Sequence, residues 1–330
     1  MIDIERIKIL KHIKSPLNYT GNKFRILDQI QPYFPKKIDV MVDLFCGGAT
    51  VGLNTECNKV IFIDNEPRII WLLKYLSGCN IDKLLNELFV LIDNYGLSCS
   101  FKNGYKYYRQ QILGGNPNNG LKDYNSNGFY KLRDDYNAIL NKNTATANKL
   151  LYLLIVYGFN NDIRFSKDGK YNLPVGKTDL NNSNVKKLTE YIERVKNIQA
   201  EFICGDFCSQ HIQQIIRKAD FVYMDPPYLI TDAVYNESNK WREQNEYELI
   251  RLMNFLLDNK KSFVLSNVLE KQGRRNEPLF YWTTTRKNDI NIVDIDYHYR
   301  SASYNKKNRN AKEREVIICP AGVRTNDRDK

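Results

Sequence analysis

Histidine is scarce in this sequence, and its cysteines form no recognisable framework. The three histidines, His12, His211 and His298, are far apart among 330 residues, and only Cys204 and Cys208 lie close together among the seven cysteines. Neither zinc-ligand spacing nor a disulfide pattern is present, since the cysteines are odd in number. We therefore expect no metal site, and we expect reduced, buried thiols.

Long apolar runs are also absent, and so is one familiar cofactor motif. No apolar run is long enough to span a membrane, and the first residues lack the apolar core of a signal peptide. We expect a cytoplasmic protein, encoded by a bacterium or a phage, with no membrane partner. A complete G-x-G-x-x-G turn is missing too, which fits a ligand without a pyrophosphate, such as a nucleoside joined to an amino acid.

The composition that is present favours a large globular protein with a polyanionic partner. Hydrophobic residues make up 42% of the chain, enough for one or two domains with a substantial core. The formal net charge is +11, and basic residues are concentrated at 271–275 and 306–312. Lysine and arginine in such segments can neutralise phosphates. A positive charge scattered over the surface is the alternative.

The most informative motif is Asp225-Pro226-Pro227-Tyr228, which follows the apolar segment 221–224. The apolar segment predicts a buried strand, and the prolines predict a rigid turn at its end. Asp225 and the adjoining carbonyl oxygens can accept hydrogen bonds, while Tyr228 offers a flat ring for stacking. This combination suits an exocyclic amino group on a planar base. An ordinary strand-ending turn is the alternative.

Residues 38–54 and 60–64 predict a second part of a ligand site. The first range contains an apolar strand, a glycine turn at Gly47 and Gly48, and the start of a helix. A doubly wound sheet presents a nucleotide-like ligand in this way, at the carboxyl end of a strand. The second range is an apolar strand that ends in Asp64, an acid suited to ribose hydroxyls. A helix N-cap is the alternative role for Asp64.

The segment 15–23 places Tyr19, a glycine turn and Lys23 just before a helical pattern. Lys23 could reach a carboxylate of a ligand while Tyr19 packs beside it. A loop that only initiates the helix is equally compatible with this pattern.

Three motifs together resemble the Dam-type family of DNA adenine-N6 methyltransferases: YTGNK at 19–23, DLFCGG at 43–48 and DPPY at 225–228. The resemblance covers nearly the whole chain up to about Cys319, although Cys46 stands where many members carry another small residue. It implies a site-specific DNA adenine methyltransferase that uses S-adenosylmethionine. GATC is common in that family, but residues after Ser266 depart from its pattern, so the recognition sequence stays open.

The resemblance also assigns site residues position by position. The acid of Gly205-Asp206-Phe207 would face the adenine of the cofactor. The implied catalytic residues are Asp225, Pro226, Pro227 and Tyr228. The implied cofactor contacts are Tyr19, Lys23, Phe45, Gly47, Gly48, Asp64, Asp206, Phe207 and Asp225.

Strand-like and helical segments predict an α/β fold. The strand-like segments are 38–45, 59–64, 200–205, 220–225, 261–266, 290–296 and 313–319, and helical patterns lie at 82–95, 129–141, 147–157 and 246–258. Helices predominate between 70 and 195, where the family carries its target-recognition domain. We expect a Rossmann-like S-adenosylmethionine-dependent methyltransferase sheet formed by 1–69 and 196–330. A mainly helical DNA-recognition domain at 70–195, containing a β-hairpin, would be inserted into it.

The predicted hairpin lies within 157–177, around the turn signal Lys167-Asp168-Gly169. Asparagine and arginine read adenine and guanine edges, and a β-ribbon fits the major groove. An ordinary surface hairpin is the alternative. The candidate DNA contacts, with those of the two basic segments, are Asn160, Arg164, Asn172, Lys177, Arg274, Lys306 and Arg309.

The predicted reaction is direct methyl transfer to the N6 amino group of an adenine flipped out of duplex DNA. Residues 229–245 would form a polar loop that closes on the flipped base. The expected partners are double-stranded DNA and a cognate restriction endonuclease that acts separately, and the protein is expected to be a monomer. The alternatives are methylation of cytosine N4, an RNA base or a protein amide, and a non-catalytic DNA-binding protein.

Overall fold

The computed structural model describes residues 12–112, 116–230, 241–295 and 313–322. Within these ranges an eight-stranded sheet has the order β3-β2-β1-β4-β5-β8-β7, with β6 paired to the end of β5. Strands β1 to β5 are parallel where they pair, and β8 is antiparallel to both of its neighbours. The strands are β1 (Val40–Leu44), β2 (Lys59–Asp64), β3 (Gln199–Cys204), β4 (Phe221–Met224), β5 (Ser262–Lys271), β6 (Arg274–Arg275), β7 (Ile290–Asp294) and β8 (Glu313–Pro320).

Helices cover the sheet and fill the long connection between β2 and β3. Short 3-10 turns lie at Phe24–Ile26, Gln31–Tyr33, Pro117–Asn119 and Phe159–Asn161. The α-helices are α1 (Leu27–Ile30), α2 (Thr50–Leu53), α3 (Pro67–Ser77), α4 (Ile81–Asn94), α5 (Ser100–Asn103), α6 (Tyr105–Arg109), α7 (Lys122–Ala138), α8 (Ala145–Tyr157), α9 (Asn182–Lys196), α10 (Gln210–Lys218), α11 (Glu243–Asp258) and α12 (Glu277–Thr285).

The mixed α/β fold with a mainly parallel sheet is confirmed, and each predicted strand segment contains a strand. Two boundaries differ from the prediction by five residues or more. Strand β5 continues to Lys271 because residues 263–269 are buried and because the strand pairs with β8 from Leu265 to Lys271. Helix α7 begins at Lys122 rather than 129, since its polar first turns bury Asn125 and pack Gly128 against Tyr95. The apolar periodicity of the sequence therefore did not indicate the first two turns of this helix.

Alternate side chains of the central strands enter different apolar clusters, as strand geometry requires. Val42, Val222 and Leu265 pack on one face of the sheet against α10, α11 and α12. Met41, Tyr223 and other residues of these strands pack on the opposite face against the segment 24–34. Because both faces are covered, the strands have the continuous apolar sequences typical of buried parallel sheets.

The region between β2 and β3 joins the sheet through its first and last helices. Helices α3 and α9 pack against β3, α8 packs on α3, and α7 packs on α8. Phe62 of β2 and Tyr157 of α8 belong to the same apolar cluster. The helical region is therefore packed continuously onto one face of the sheet.

A buried polar cluster holds the two ends of the segment 158–178 together. Asp179 accepts hydrogen bonds from Ser98 Oγ at 2.8 Å and from the Ser100 backbone N–H at 2.7 Å. Asn125 accepts from the Ser98 N–H at 2.7 Å, and the Tyr157 hydroxyl donates to the Ser98 carbonyl at 2.5 Å. Buried polar groups that are mutually satisfied specify one arrangement. Tyr157 and Asp179, which flank the segment, are thus fixed relative to each other.

All seven cysteines are free thiols, so no disulfide is present. The prediction that the thiols are buried is wrong for Cys204, the last residue of β3, and for Cys208 in the turn after it, which are both exposed; Cys57 and Cys79 are half-buried. In the described ranges, no helix has both the length and the apolar character needed to cross a membrane. No group of three or more His, Cys, Asp or Glu side chains within those ranges is arranged to hold a metal ion.

The carboxyl group of Asp43 makes the stability of the fold dependent on pH. Burial, reinforced by Asp225 and Asp64, raises the pKa of Asp43 to about 8, although the Gly52 N–H donates to it at 2.9 Å. In the unfolded chain this group ionises at a pKa of about 4. The folded protein therefore holds an additional proton between these values, and the contribution of Asp43 to stability falls as the pH rises through that window.

We predict that Asp43→Asn reduces the loss of stability between about pH 4 and pH 8, because asparagine keeps an acceptor for the Gly52 N–H but cannot ionise. Urea denaturation at a series of pH values would measure the unfolding free energy of both proteins. Parallel curves for the two proteins would contradict the assignment.

Candidate functional site

Within the parallel part of the sheet, the strand order reverses between β1 and β4. Strands β2 and β3 extend from β1 to one side, and β4 and β5 extend to the other. Loops that leave the carboxyl ends of adjacent strands diverge at such a point and leave a crevice between them. The structure brings the predicted residues to this edge: Phe45, Gly47 and Gly48 follow β1, Asp64 ends β2, Asp206 and Phe207 follow β3, and Asp225 to Tyr228 follow β4.

The turn after β1 has a backbone that few residues adopt. Phe45, Gly47 and Ala49 have φ values of 64°, 47° and 63°, in the left-handed region. A Cβ on Gly47 would lie 2.8 Å from the ring of Tyr19, and one on Gly48 would lie 3.0 Å from the Cβ of Tyr19. The two glycines are therefore needed because Tyr19 packs directly on the turn. Tyr19 and the glycine turn form one wall of the crevice.

Asp64 shapes the glycine turn from the neighbouring strand. Its Oδ2 accepts the Gly47 N–H at 2.9 Å, and its Oδ1 accepts the Glu66 N–H at 2.9 Å. Burial raises the pKa of Asp64, while these backbone hydrogen bonds oppose the rise. The N-cap of α3 is Glu66, so the alternative role for Asp64 is wrong. A carboxylate has about four lone-pair sites, so Asp64 can still accept a hydrogen bond from a ligand.

Asp225 is held by two side chains. Lys23 Nζ lies 2.7 Å from Asp225 Oδ2, and the Tyr228 hydroxyl donates to Asp225 Oδ1 at 2.9 Å. Lys23 is 3% exposed and also donates to the Gly21 carbonyl at 2.8 Å. In this arrangement Lys23 orients an acid of the protein itself, whereas the sequence suggested a carboxylate of a ligand. The Asp225 carboxylate is thus fixed before any ligand arrives.

Three aromatic side chains form an apolar wall beside Asp206. The rings of Phe45 and Phe207 have centroids 5.2 Å apart, and Trp241 lies 5.7 Å from Phe207 and 5.6 Å from Phe45. Asp206 is exposed, and its Oδ1 accepts the Cys208 N–H at 2.9 Å. Aromatic surface next to a carboxylate acceptor suits a purine with an amino group.

Trp241 lies in the polar stretch 229–245, where no motif marks it as a site residue. Its indole N–H donates to Glu246 Oε2 at 2.5 Å, and Glu246 also accepts from Asn276 Nδ2 at 2.8 Å. Burial raises the pKa of Glu246, whose side chain is fully enclosed. Helix α11 begins at Glu243, so the predicted loop ends earlier than 245; its residues 231–240 lie outside the described residues.

The predicted hairpin turn is present, but regular strands do not flank it. Two isolated bridges pair Phe165 with Tyr171 and Gly158 with Val175. The outward N–H and carbonyl of Tyr171 are bonded to the side chain of Asn137, at 2.9 and 3.0 Å. A side chain of α7 thus occupies the edge where another strand could pair. We call residues 158–178 the hairpin segment.

The DNA-contact candidates of the hairpin segment lie beside the crevice. Arg164 donates to Asn172 Oδ1 at 2.8 Å and to the Asn172 carbonyl at 3.2 Å, so these two candidates are prearranged as a pair. The Asn160 carbonyl accepts from Asn18 Nδ2 at 3.0 Å, which joins the hairpin segment to the loop that carries Tyr19 and Lys23. Sequence signals did not indicate that contact.

The remaining DNA-contact candidates are less closely grouped. Lys177 has an exposed side chain, and its carbonyl accepts the Leu121 N–H at 3.0 Å. Arg274 lies at the tip formed by β5 and β6, which project beyond the carboxyl end of β4. Lys306 and Arg309 lie outside the described residues.

Comparisons with known proteins identify a family and several relatives of this chain. The family model described as D12 class N6 adenine-specific DNA methyltransferase matches residues 19–307. The chain is 32% identical to the type II methyltransferase M.FokI of Planomicrobium okeanokoites and 31% identical to the modification methylase StsI of Streptococcus sanguinis, over 96% of this chain and 44% of each relative. It is 24% identical to the DNA adenine methylase of Salmonella typhi, over 78% of this chain and 82% of that protein.

The chain thus spans less than half the length of M.FokI and StsI. The matched range contains the glycine turn, Asp64, the hairpin segment and the turn that begins at Asp225. On the extent of this match, the chain belongs to the D12 class of N6 adenine-specific DNA methyltransferases.

Proposed function

We propose that this chain transfers a methyl group from S-adenosylmethionine to the N6 amino group of adenine in a short site of duplex DNA. The observation that carries the proposal is the fixed Asp225 carboxylate. Lys23 and Tyr228 hold it beside the point between β1 and β4 where the strand order reverses. The names of M.FokI and StsI support a role in modification, and we propose that a separate endonuclease is the partner. We propose a cytoplasmic, monomeric enzyme.

The residues around the glycine turn fit S-adenosylmethionine. Asp64 retains acceptor capacity for ribose hydroxyls, and the wall of Phe45, Phe207 and Trp241 offers a surface for adenine. Among the described residues, Thr50 Oγ1 at the start of α2, directly after the glycine turn, is one of three buried side-chain polar atoms without a hydrogen-bond partner. When bound, S-adenosylmethionine supplies an electrophilic methyl group on a sulfonium. The proposed contacts remain Tyr19, Lys23, Phe45, Gly47, Gly48, Asp64, Asp206, Phe207 and Asp225, with Trp241 added.

The turn at 225–228 has the acceptors that an adenine amino group requires. The lone pair of this nitrogen is delocalised into the ring, so the nitrogen is a poor nucleophile in its planar form. Asp225 and the Pro226 carbonyl can accept hydrogen bonds from its two N–H groups. These hydrogen bonds favour a tetrahedral nitrogen. Because Lys23 and Tyr228 already fix Asp225, the carboxylate needs no reorganisation during the reaction.

The thiol of the glycine turn does not support a covalent route. Burial, reinforced by Asp64 and Asp43, raises the pKa of the Cys46 thiol well above its usual value. A thiol with a raised pKa is a poor nucleophile near neutral pH. Direct transfer to the amino nitrogen, without an enzyme-bound intermediate, is therefore the route that these residues support.

We further propose that residues 70–195 form a target-recognition domain and that 1–69 and 196–330 form a Rossmann-like catalytic domain. The paired Arg164 and Asn172 present donors and acceptors suited to base edges. Phe159 is 45% exposed beside Asn160, at the contact with the Tyr19 loop. An exposed ring at this place can fill the space that a flipped base leaves.

Base-resolution sequencing of N6-methyladenine in DNA from cells that express the chain tests the proposed function. We expect one methylated sequence motif. If no adenine is modified although the purified protein binds S-adenosylmethionine, the proposal is wrong, and cytosine N4 or a substrate other than DNA becomes the next candidate.

We predict that Asp225→Ala lowers kcat by on the order of 1000-fold, because one acceptor for the amino group is lost. DNA affinity should change by less than about threefold, since binding resides mainly in the phosphate contacts. Removing Asp225 leaves buried Lys23 without its partner, so Lys23→Met/Asp225→Ala is the matched control for stability. Equal losses of kcat and DNA affinity would contradict the catalytic assignment.

We predict that Tyr228→Phe retains most DNA affinity but lowers kcat by about tenfold, because the ring remains while the hydrogen bond that orients Asp225 is lost. Tyr228→Ala should lose both, since base–aromatic stacking contributes about 1–3 kcal/mol. Single-turnover kinetics with duplex DNA would separate the two effects. If Tyr228→Phe had the kinetics of the unaltered protein, the hydroxyl would have no orienting role.

A further inference from the structure

Arg68 connects the cofactor side of the crevice to the hairpin segment. Asp64 accepts the Glu66 N–H at 2.9 Å, and the Glu66 carboxylate binds the Arg68 guanidinium through two hydrogen bonds, at 2.5 and 2.7 Å. The third arm of the same guanidinium donates to the Gly169 carbonyl at 2.6 Å. Three consecutive contacts, made by four hydrogen bonds, thus lead from the acid of β2 to the turn of the hairpin segment.

The guanidinium of Arg68 also packs on the hairpin segment. It lies 3.8 Å from the ring centroid of Phe165, which is 5% exposed. The Arg68 and Glu66 side chains are 17% and 11% exposed, so water screens their ion pair only partly. A two-pronged arginine–carboxylate pair that also stacks on a ring has a well-defined orientation, which a lysine cannot reproduce.

The hairpin segment has another anchor on the helical side. Asn137 bonds both backbone groups of Tyr171, and the Tyr171 hydroxyl donates to the Leu154 carbonyl at 2.9 Å. These contacts hold the segment on α7 and α8 without Arg68. The contact of Arg68 therefore has a different role from these anchors. It joins the turn at Gly169 to the end of β2, where the cofactor is proposed to bind.

We propose that Arg68 is a positioning residue that couples cofactor binding at Asp64 to the placement of the hairpin segment on DNA. This inference rests on the proposed function. Ribose hydroxyls on Asp64 would restrain residues 64–66, and the Glu66 carboxylate would then restrain Arg68 and the turn at Gly169. A hairpin that is already restrained loses less freedom on binding DNA. Because coupling is reciprocal, DNA must raise the affinity for the cofactor by the same factor.

Calorimetric titration of S-adenosylhomocysteine measures this coupling. The titration is made with and without an unmethylated duplex that contains the sequence motif found by N6-methyladenine sequencing. We expect the duplex to raise the affinity of the unaltered protein by about fivefold or more. In Arg68→Gln the ratio should fall to about one, while the affinity without DNA stays within about twofold. Arg68→Lys should give an intermediate ratio, since it keeps the charge but not the two-pronged pair.

Arg217→Gln is the matched control. Arg217 in α10 also has its guanidinium 3.8 Å from a phenylalanine ring, that of Phe255, but the contact lies on the other helical layer. It should keep the ratio of the unaltered protein. Thermal unfolding of all variants would show whether Arg68→Gln is folded, and Arg68→Lys serves if it is not.

The outcomes separate this inference from the proposed function. A protein that methylates DNA but shows no coupling, or an Arg68→Gln variant that keeps it, would overturn the role of Arg68 alone. A loss of coupling in Arg217→Gln as well would also overturn it, because the effect would then be general. A protein that binds the probe but methylates no adenine would overturn the proposed function instead.

Discussion

The parallel pairing of β1 with both β2 and β4 is the constraint on which the site depends. Parallel neighbours end at the same edge of a sheet, about 5 Å apart, so chain segments distant in sequence deliver their loops to one crevice. The strand order reverses here, and the loops after β1 and β4 therefore diverge. The glycine turn, Asp64 and Asp225 are neighbours because the strands that carry them pair in parallel and end at the same edge.

A second interaction gives the crevice its chemical character. The ion pair between Lys23 and Asp225 joins the N-terminal loop to the end of β4, and the Tyr228 hydroxyl completes the coordination of the carboxylate. Lys23 is buried, so its ammonium depends on this partner. The arrangement shows how a chain can prepare an acceptor for an amino group. Most of the reorganisation that water would need is avoided by folding.

The helical region and the sheet are linked at two places near the crevice. Asn18 contacts Asn160 beside the Tyr19 loop, and Arg68 contacts Gly169 beside the end of β2. The hairpin segment between them is held at its base by the buried cluster around Asp179. Its position relative to Asp225 is thus defined from three sides.

The sequence by itself determined the strands, the edge at which they end and the main acids of the site. Apolar runs ending in Asp64 and Asp225 are local signals, and a parallel sheet brings such ends together. Only the tertiary structure decided that Lys23 pairs with Asp225, that Glu66 caps α3, and that Trp241 joins Phe45 and Phe207. These contacts depend on side-chain directions across loops, which no periodicity encodes. For the same reason, the sequence does not predict the contact between Arg68 and Gly169. The two residues lie about a hundred positions apart, and packing places the turn at Gly169 against α3.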